Sequence, residues 1–177
     1  MASKLARLAA GLCVAALATS ANAQQAKTDN RVGANVDWSV FQGENPTECW
    51  GVSAPKETVN TRDGRVVAVR RSDIQLFVLY RPDDSDKGQV SFTGGYPFAP
   101  GSTVNMVIGD SEFELFTEGE WAWPATPADD AKIITAMKRG SDAVLTARSA
   151  RGTQTKDRFS LLGFTAAVED AEKRCTQ

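Results

Sequence analysis

The 177-residue chain carries 22 acidic and 20 basic side chains, for a formal charge of −2. This length fits one domain with a sizeable core, and the charge balance lacks the basic excess typical of proteins that bind nucleic acid or anionic lipid. The chain has no histidine, which excludes the usual Ser-His-Asp and Cys-His nucleophile systems and histidine-based zinc, copper and haem sites.

The first 23 residues have the three parts of a secretory signal peptide. Lys4 and Arg7 form a charged start, residues 8–18 are apolar, and Ala21-Asn22-Ala23 is a small-residue cleavage site. An apolar run of about 11 residues is too short to span a bilayer, which takes roughly 20. We therefore expect cleavage, a mature chain 24–177 with no transmembrane segment, and a periplasmic, outer-membrane-associated or secreted protein.

Cleavage also removes Cys13 and leaves two cysteines, Cys49 near the start of the domain and Cys175 near its end. Disulfides persist outside the cytoplasm, so a bond between these two is the simplest prediction. Two free thiols, or pairing between molecules, are the alternatives. The same count excludes a four-cysteine metal site.

The N-terminal half of the mature chain is predicted to be strands and loops. Residues 24–34 lack periodicity and are expected to form a disordered lead-in to a single β-rich domain at 35–177. Val36, Trp38 and Val40 occupy every second position, which is the period of a half-buried strand. The segments that follow are predicted as a short strand (48–53), a polar loop (57–64) and a pair of strands (65–71 and 74–81).

That pair of strands has an apolar face and a basic face. Arg70 and Arg71 fall on the predicted solvent face. With Arg65 they either form a small basic binding patch or are ordinary solvated strand surface. The predicted buried face consists of Val67, Val69, Ile74, Leu76, Val78 and Tyr80.

The C-terminal half adds further strands and two helices. Thr126 is a good N-cap, with Pro127 at the first helical position and acidic residues in the first turn, so a helix is predicted over 127–139. A second helix is predicted over 165–175. The predicted strands are 89–93, a hairpin over 104–117 that turns at Gly109-Asp110, 120–123, 143–149 and 158–162. The fold class is therefore mainly β: a single antiparallel sandwich or barrel-like domain with two short helices.

No motif identifies a reaction, so we predict no catalytic, cofactor-binding or metal-binding residue. Composition permits a glycosidase carboxylate pair and a Ser-Lys dyad, but no Ser-x-x-Lys motif occurs. Asp83, Asp84 and Asp86 offer the hard oxygens that Ca²⁺ prefers, yet Gly95 stands where an EF-hand needs a bidentate glutamate. A solvated turn is the favoured interpretation.

Two tryptophans are the first candidates for partner binding. Trp121 and Trp123 lie two residues apart on a predicted strand and therefore share one face. If exposed, they can stack on sugars or anchor a partner. The alternative, which the pattern favours, is that they pack in the core or beneath the helix that begins after Thr126. Tyr96 completes the set of candidate partner-binding residues.

Several segments together resemble one known family. These are Asp37-Trp38-Ser39-Val40, the strands at 66–71 and 74–79, the hairpin over 104–116, and the ending from Asp157 to Cys175. They resemble the invasion-associated locus B family of alphaproteobacteria over nearly the whole mature chain. The most specific part is Phe159-Ser160-Leu161-Leu162-Gly163-Phe164-Thr165-Ala166-Ala167. Family members commonly have another cysteine where this chain has Phe41-Gln42, a departure that favours pairing of Cys49 with Cys175.

The resemblance implies an exported envelope protein, named for a role in host-cell invasion, and brings no enzymatic activity or catalytic residues. Our leading hypothesis is a non-enzymatic domain that binds an envelope or host protein. Neither the partner's identity nor the oligomeric state follows from the sequence. The alternatives are a periplasmic carrier that encloses a small ligand near Trp121 and Trp123, and a histidine-free hydrolase of envelope polymers.

Overall fold

A computed structural model describes residues 30–44, 47–82 and 88–175. The predicted signal peptide and the aspartates at 83, 84 and 86 lie outside these ranges. Twelve strands occur within them: β1 (Arg31–Asn35), β2 (Trp38–Glu44), β3 (Thr47–Ser53), β4 (Glu57–Arg62), β5 (Arg65–Val66), β6 (Gln75–Tyr80), β7 (Gln89–Thr93), β8 (Thr103–Ile108), β9 (Ser111–Glu118), β10 (Trp121–Trp123), β11 (Asp142–Arg148) and β12 (Gln154–Ser160). The helices are α1 (Pro127–Arg139) and α2 (Phe164–Cys175).

All the strands belong to one large antiparallel sheet. Its order is β1-β2-β3-β6-β7-β10-β9-β8-β11-β12-β4-β5. The predicted fold class is confirmed, since the domain is mainly β and both helices lie within one residue of their predicted bounds. Neither helix of the described chain is long and apolar enough to cross a membrane.

Alternating side chains give the sheet an inner and an outer face. The inner face is buried and mainly apolar, because successive side chains of a strand point to opposite sides of the sheet. The hairpin β8–β9 follows its prediction, with Val104, Met106 and Leu115 fully buried and the reversal at Gly109-Asp110. In β6 the buried side chains are Leu76, Val78 and Tyr80, also as predicted. The burial pattern of each strand thus decides which side chains remain available for function.

Helix α2 covers part of the inner face. Phe164 packs edge-to-face on Trp38 with ring centroids 4.8 Å apart, and the Trp38 indole Nε1 donates a hydrogen bond to the Ser160 carbonyl. The next buried residues of the helix are small or short, so its backbone lies close to β3, where Gly51 faces Ala167 and Val168. A Cβ at Gly51 would lie 3.6 Å from Val168, an ordinary contact distance, so a side chain larger than alanine is needed to push the helix away from the sheet.

Helix α1 is fixed to the sheet through a buried carboxylate. Thr126 caps the helix by accepting a hydrogen bond from the Asp129 amide, as predicted. Asp130, in the first turn, is 7% exposed, and its Oδ1 accepts a hydrogen bond from the Val90 amide of β7 at 2.7 Å. This contact sets the position of the helix relative to β7.

The structure corrects the predicted start of the domain. Residues 31–34 are not a disordered lead-in, because they form most of β1 and pair with β2. Val36 is 81% exposed with φ of 51°, in the turn between those strands, and is not part of the buried alternation. The pattern missed β1 because its residues gain order from backbone pairing with β2 and not from an apolar face.

The stretch from 57 to 74 is also different from its prediction. The expected loop 57–64 contains β4, which pairs with β12, and the expected strand 65–71 shrinks to the two residues of β5. After β5 the chain leaves the sheet, so Val67 is only half-buried and Val69 is 37% exposed. Arg71, predicted to face solvent, is buried instead. A polar strand such as β4 owes its conformation to a partner that is distant in sequence.

A disulfide joins the C-terminal helix to the sheet. The Sγ atoms of Cys49 in β3 and Cys175 at the end of α2 are bonded, across a sequence separation of 126 residues. Both cysteines are buried, at 0% and 2% exposure. The bond closes a loop that holds most of the domain, so its main effect is to restrict the unfolded chain.

Replacing both cysteines by alanine should lower the free energy of unfolding by on the order of 4 to 5 kcal/mol, because the unfolded chain gains the entropy of a long open loop. Urea unfolding of the double variant and of the oxidised protein measures this difference. The oxidised protein treated with reductant is the control and should unfold like the variant. Equal stability of all three would show that the bond does not constrain the unfolded state.

Candidate functional site

The outer face of the sheet carries an unusual set of large apolar side chains. It runs across six neighbouring strands, in the order β2, β3, β6, β7, β10 and β9. Five of these strands contribute at least one such side chain, and three of the four tryptophans of the chain are among them. We call this surface the aromatic face and define it as Phe41, Trp50, Phe77, Leu79, Phe116, Trp121 and Trp123.

Strand register brings the aromatic side chains together. Phe41 and Trp50 are directly opposite on β2 and β3, and their rings stack nearly parallel with centroids 5.6 Å apart. Trp50 is in turn opposite Leu79 of β6. The ring centroids of Phe77 on β6 and Trp121 on β10 are 5.7 Å apart, across the intervening strand β7. Such cross-strand pairs stabilise the sheet, while their outer surfaces remain accessible.

The structure places the two predicted tryptophans outside the core. In β10 only Ala122 faces inward, and it is fully buried. Trp121 is 44% exposed and Trp123 is half-buried. The favoured alternative, that they pack in the core or beneath α1, is therefore wrong. A strand of three residues is too short for its sequence pattern to show which of the alternating positions face inward.

A shallow depression lies in the centre of the aromatic face. Its volume is about 490 Å³, and Trp50, Phe77 and Trp121 are among its apolar lining residues. Its polar lining residues are Glu48 of β3 and, on β7 between the apolar side chains of β6 and β10, Gln89 and Ser91. Phe116, which is 48% exposed, extends the apolar surface beyond the depression onto β9. The arrangement suits contact with a broad surface more than enclosure of a small molecule.

Tyr96, the third predicted binding residue, belongs to a different part of the surface. It lies in the connection between β7 and β8, where its hydroxyl is 2.5 Å from Thr155 Oγ1. Its ring packs on Phe98, and the Arg71 guanidinium lies 5.0 Å from the ring centroid, a cation–π contact. The structure therefore joins Trp121 with Trp123 but does not join Tyr96 to either.

Beside Tyr96 is a buried ion pair that the sequence analysis missed. Arg71 Nη1 and Nη2 donate to the two carboxylate oxygens of Asp157 at 2.7 and 2.5 Å, and Arg71 Nε donates to the Gly94 carbonyl. The exposed fractions of the two side chains are 6% and 0%. The sequence carried one signal that Asp157 is buried. Thr155, Asp157 and Phe159 occupy alternate positions of β12, and these are the positions that face inward.

Burial determines the proton affinities of this cluster. Loss of hydration raises the pKa of Asp157, and the hydrogen bonds and positive charge of Arg71 oppose that rise. Burial likewise raises the pKa of Tyr96. No group of three or more metal-ligating side chains occurs in the described part of the chain. The cluster is thus an organised polar support, with Tyr96 held between Arg71, Phe98 and Thr155.

Comparison with known proteins agrees with this architecture. Residues 38–172 match the family model described as Invasion associated locus B (IalB) protein. Among solved structures, the crystal structure of invasion associated protein B from Bartonella henselae superposes with a TM-score of 0.56 at 16% identity. The match covers 82% of this chain and 98% of that one, and at this identity it shows a shared fold. Comparison with curated proteins gave no match.

Replacing Arg71 by methionine should lower the free energy of unfolding by about 3 to 5 kcal/mol, because Asp157 is left buried without its partner. Urea unfolding measures the loss. Arg70→Met is the matched control; Arg70 is exposed, and its substitution should change stability by less than about 0.5 kcal/mol. A second variant, Arg71→Met with Asp157→Leu, should recover stability relative to the single variant. Equal losses for Arg70→Met and Arg71→Met would contradict the assignment.

The two tyrosines of the chain should resist ionisation while it is folded. Burial raises the pKa of both Tyr80 and Tyr96 above the ordinary value of 10.0. Above that pH the unfolded chain releases protons that the folded chain retains, so stability should fall as the pH rises. Tyrosinate absorbance in the folded protein should stay low at pH 10.0 and rise sharply only on unfolding. Half-ionised tyrosines in the folded protein at that pH would refute this prediction.

Proposed function

Since the family match spans residues 38–172, the chain belongs to the Invasion associated locus B (IalB) protein family, and we propose that it is an exported, non-enzymatic envelope domain that binds a protein partner. The observation that carries this proposal is the aromatic face.

The composition of the aromatic face supports partner binding. Tryptophan is among the residues most enriched where truncation weakens protein–protein binding. Trp121 and Phe116 expose 44% and 48% of their surface to water. Contiguous apolar surface of this kind on a folded domain commonly marks an interaction site. Covering these side chains with a partner would remove apolar area from water and so favour association.

The dimensions of the face favour a protein over a small ligand. Neighbouring strands are about 4.8 Å apart, so six strands extend about 24 Å across the sheet. A standard protein–protein interface covers roughly 800 Å² per partner, which corresponds to a square patch about 28 Å on a side, close to this width. A small ligand would contact only the central depression and would leave Phe41 and Phe116 exposed.

The surrounding charges indicate the chemistry of the partner. Strand β9 presents Glu112, Glu114 and Glu118 on the same side of the sheet as Phe116, and all three are exposed. No ion pair joins any of them to a described residue; Glu112 and Glu114 accept hydrogen bonds from Asn105 and Thr103. We therefore expect an apolar patch bordered by lysine or arginine on the partner.

Export is supported by three independent features. The N-terminal 23 residues have signal-peptide composition, the domain contains a buried disulfide, and family membership fits an envelope or secreted protein. Lack of catalysis is supported by the absence of histidine from the sequence.

Site-specific photo-cross-linking in the native envelope tests the proposal. A benzophenone amino acid replaces Trp121 in one variant and Leu162, which is 62% exposed away from the aromatic face, in the control. The Trp121 position should capture a defined partner that the Leu162 position does not. Identical products at both positions would contradict the proposal. So would the absence of any product under conditions that capture a known envelope pair. Repeating the experiment with intact host cells tests the link to invasion.

Truncating the aromatic face should weaken binding without unfolding the domain. With the captured partner in hand, Trp121→Ala and Phe116→Ala should each raise the dissociation constant by about tenfold or more, because both side chains lose apolar contact. Calorimetry or surface binding measures this change. Leu162→Ala is the control and should leave affinity within about twofold. Equal affinities for all variants would show that the partner binds outside the aromatic face.

A further inference from the structure

A second concave surface lies apart from the aromatic face. It is a pocket of about 470 Å³ at the place where the segments 67–74, 94–99 and 148–153 meet. Its lining includes four arginines, which come from three parts of the sequence: Arg62, Arg70, Arg71 and Arg151. Tyr96 forms part of its apolar wall, together with Val69 and Pro97. The proposed function does not use this pocket.

Backbone hydrogen bonds hold the walls of the pocket together. The Ser72 amide donates to the Gly95 carbonyl at 3.0 Å, and the Ala150 amide donates to the Pro97 carbonyl at 2.9 Å. Gly95 has φ of 71°, and a Cβ there would meet the Ser72 carbonyl oxygen at 2.5 Å, so the close approach of these segments requires glycine. The pocket is therefore formed before any ligand arrives, which lowers the cost of binding.

The arginines differ in what they already bind. Arg71 is neutralised by Asp157 at the base of the pocket, and Arg62 Nη2 donates to Thr153 Oγ1 at 2.8 Å. The side chains of Arg70 and Arg151 are exposed and make no hydrogen bond or ion pair with any described residue. Glu120 is the one carboxylate in the lining. Of the four arginine charges, Asp157 balances that of Arg71 and Glu120 can balance one more. Two positive charges therefore remain in excess, in a chain whose formal charge is −2.

We propose that this pocket binds the phosphate monoester group of a small amphipathic molecule. The guanidinium fork matches the geometry of phosphate oxygens. A phosphate monoester carries about −1.5 to −2 at neutral pH, which balances the excess charge of the pocket, whereas a carboxylate carries half as much. The volume falls within the range of roughly 300 to 1,000 Å³ typical of small-molecule sites. Val69, Tyr96 and Pro97 offer contact to the apolar part of the ligand.

Nuclear magnetic resonance titration of the ¹⁵N-labelled exported protein tests this assignment. The probes are phenyl phosphate, inorganic phosphate, benzoate and the neutral benzyl alcohol. Phenyl phosphate should give saturable shifts of the backbone amides of residues 94–96 and 149–153. It should bind more tightly than benzoate, because the charge match is better, and more tightly than inorganic phosphate, because the ring contacts the apolar wall. No saturation, or equal binding of benzyl alcohol, would overturn the proposal.

Charge-matched variants separate the pocket from general electrostatics. Arg70→Gln with Arg151→Gln removes the two arginines that have no described partner and should weaken phenyl phosphate binding by at least about tenfold, since charge-assisted hydrogen bonds are lost. Arg31→Gln with Arg139→Gln removes the same charge from exposed positions outside the pocket and should leave affinity within about twofold. Equal weakening by both pairs would refute a specific site.

Discussion

The structure depends on how α2 is held against the inner face of the sheet. Trp38 and Phe164 pack edge-to-face at its start, and the disulfide between Cys49 and Cys175 holds its end. Small buried residues between these points, such as Ala167 and Ala171, let the helix lie close to β3. Because the apolar sides of the helix and strands must be removed from water together, the fixed helix decides which face of the sheet becomes the core.

One consequence is the exposure of the opposite face. The residues that alternate with the core positions point outward, and in β3, β6 and β10 several of these are large and apolar. An outer strand face would ordinarily be polar in a domain that meets only water. The stacking of Phe41 on Trp50 contributes to the sheet itself. The accessible fractions of Trp121 and Phe116 are not explained by stability and therefore carry the functional proposal.

The pair of Arg71 and Asp157 organises the part of the surface around the second pocket. It ties the irregular segment 67–74 to β12, and through Gly94 it also ties that segment to the connection that follows β7. This pair has a structural role, since both charges are buried and satisfied. Arg71 also packs over the Tyr96 ring, beside the pocket that Arg70 and Arg151 line. The aromatic face and this pocket thus have no lining residue in common, and the two binding proposals can be tested independently.

The sequence alone determined the fold class, the bounds of both helices, the hairpin β8–β9 and the candidacy of Trp121 and Trp123, because these follow from local periodicity, capping and turn residues. The tertiary structure alone decided whether those tryptophans are exposed, because a strand as short as β10 does not show from its sequence which alternate positions face inward. It also decided that the polar segment 57–62 is a strand and that Arg71 is buried. Both outcomes depend on β12, about 90 residues away, whose backbone and Asp157 supply the missing hydrogen bonds.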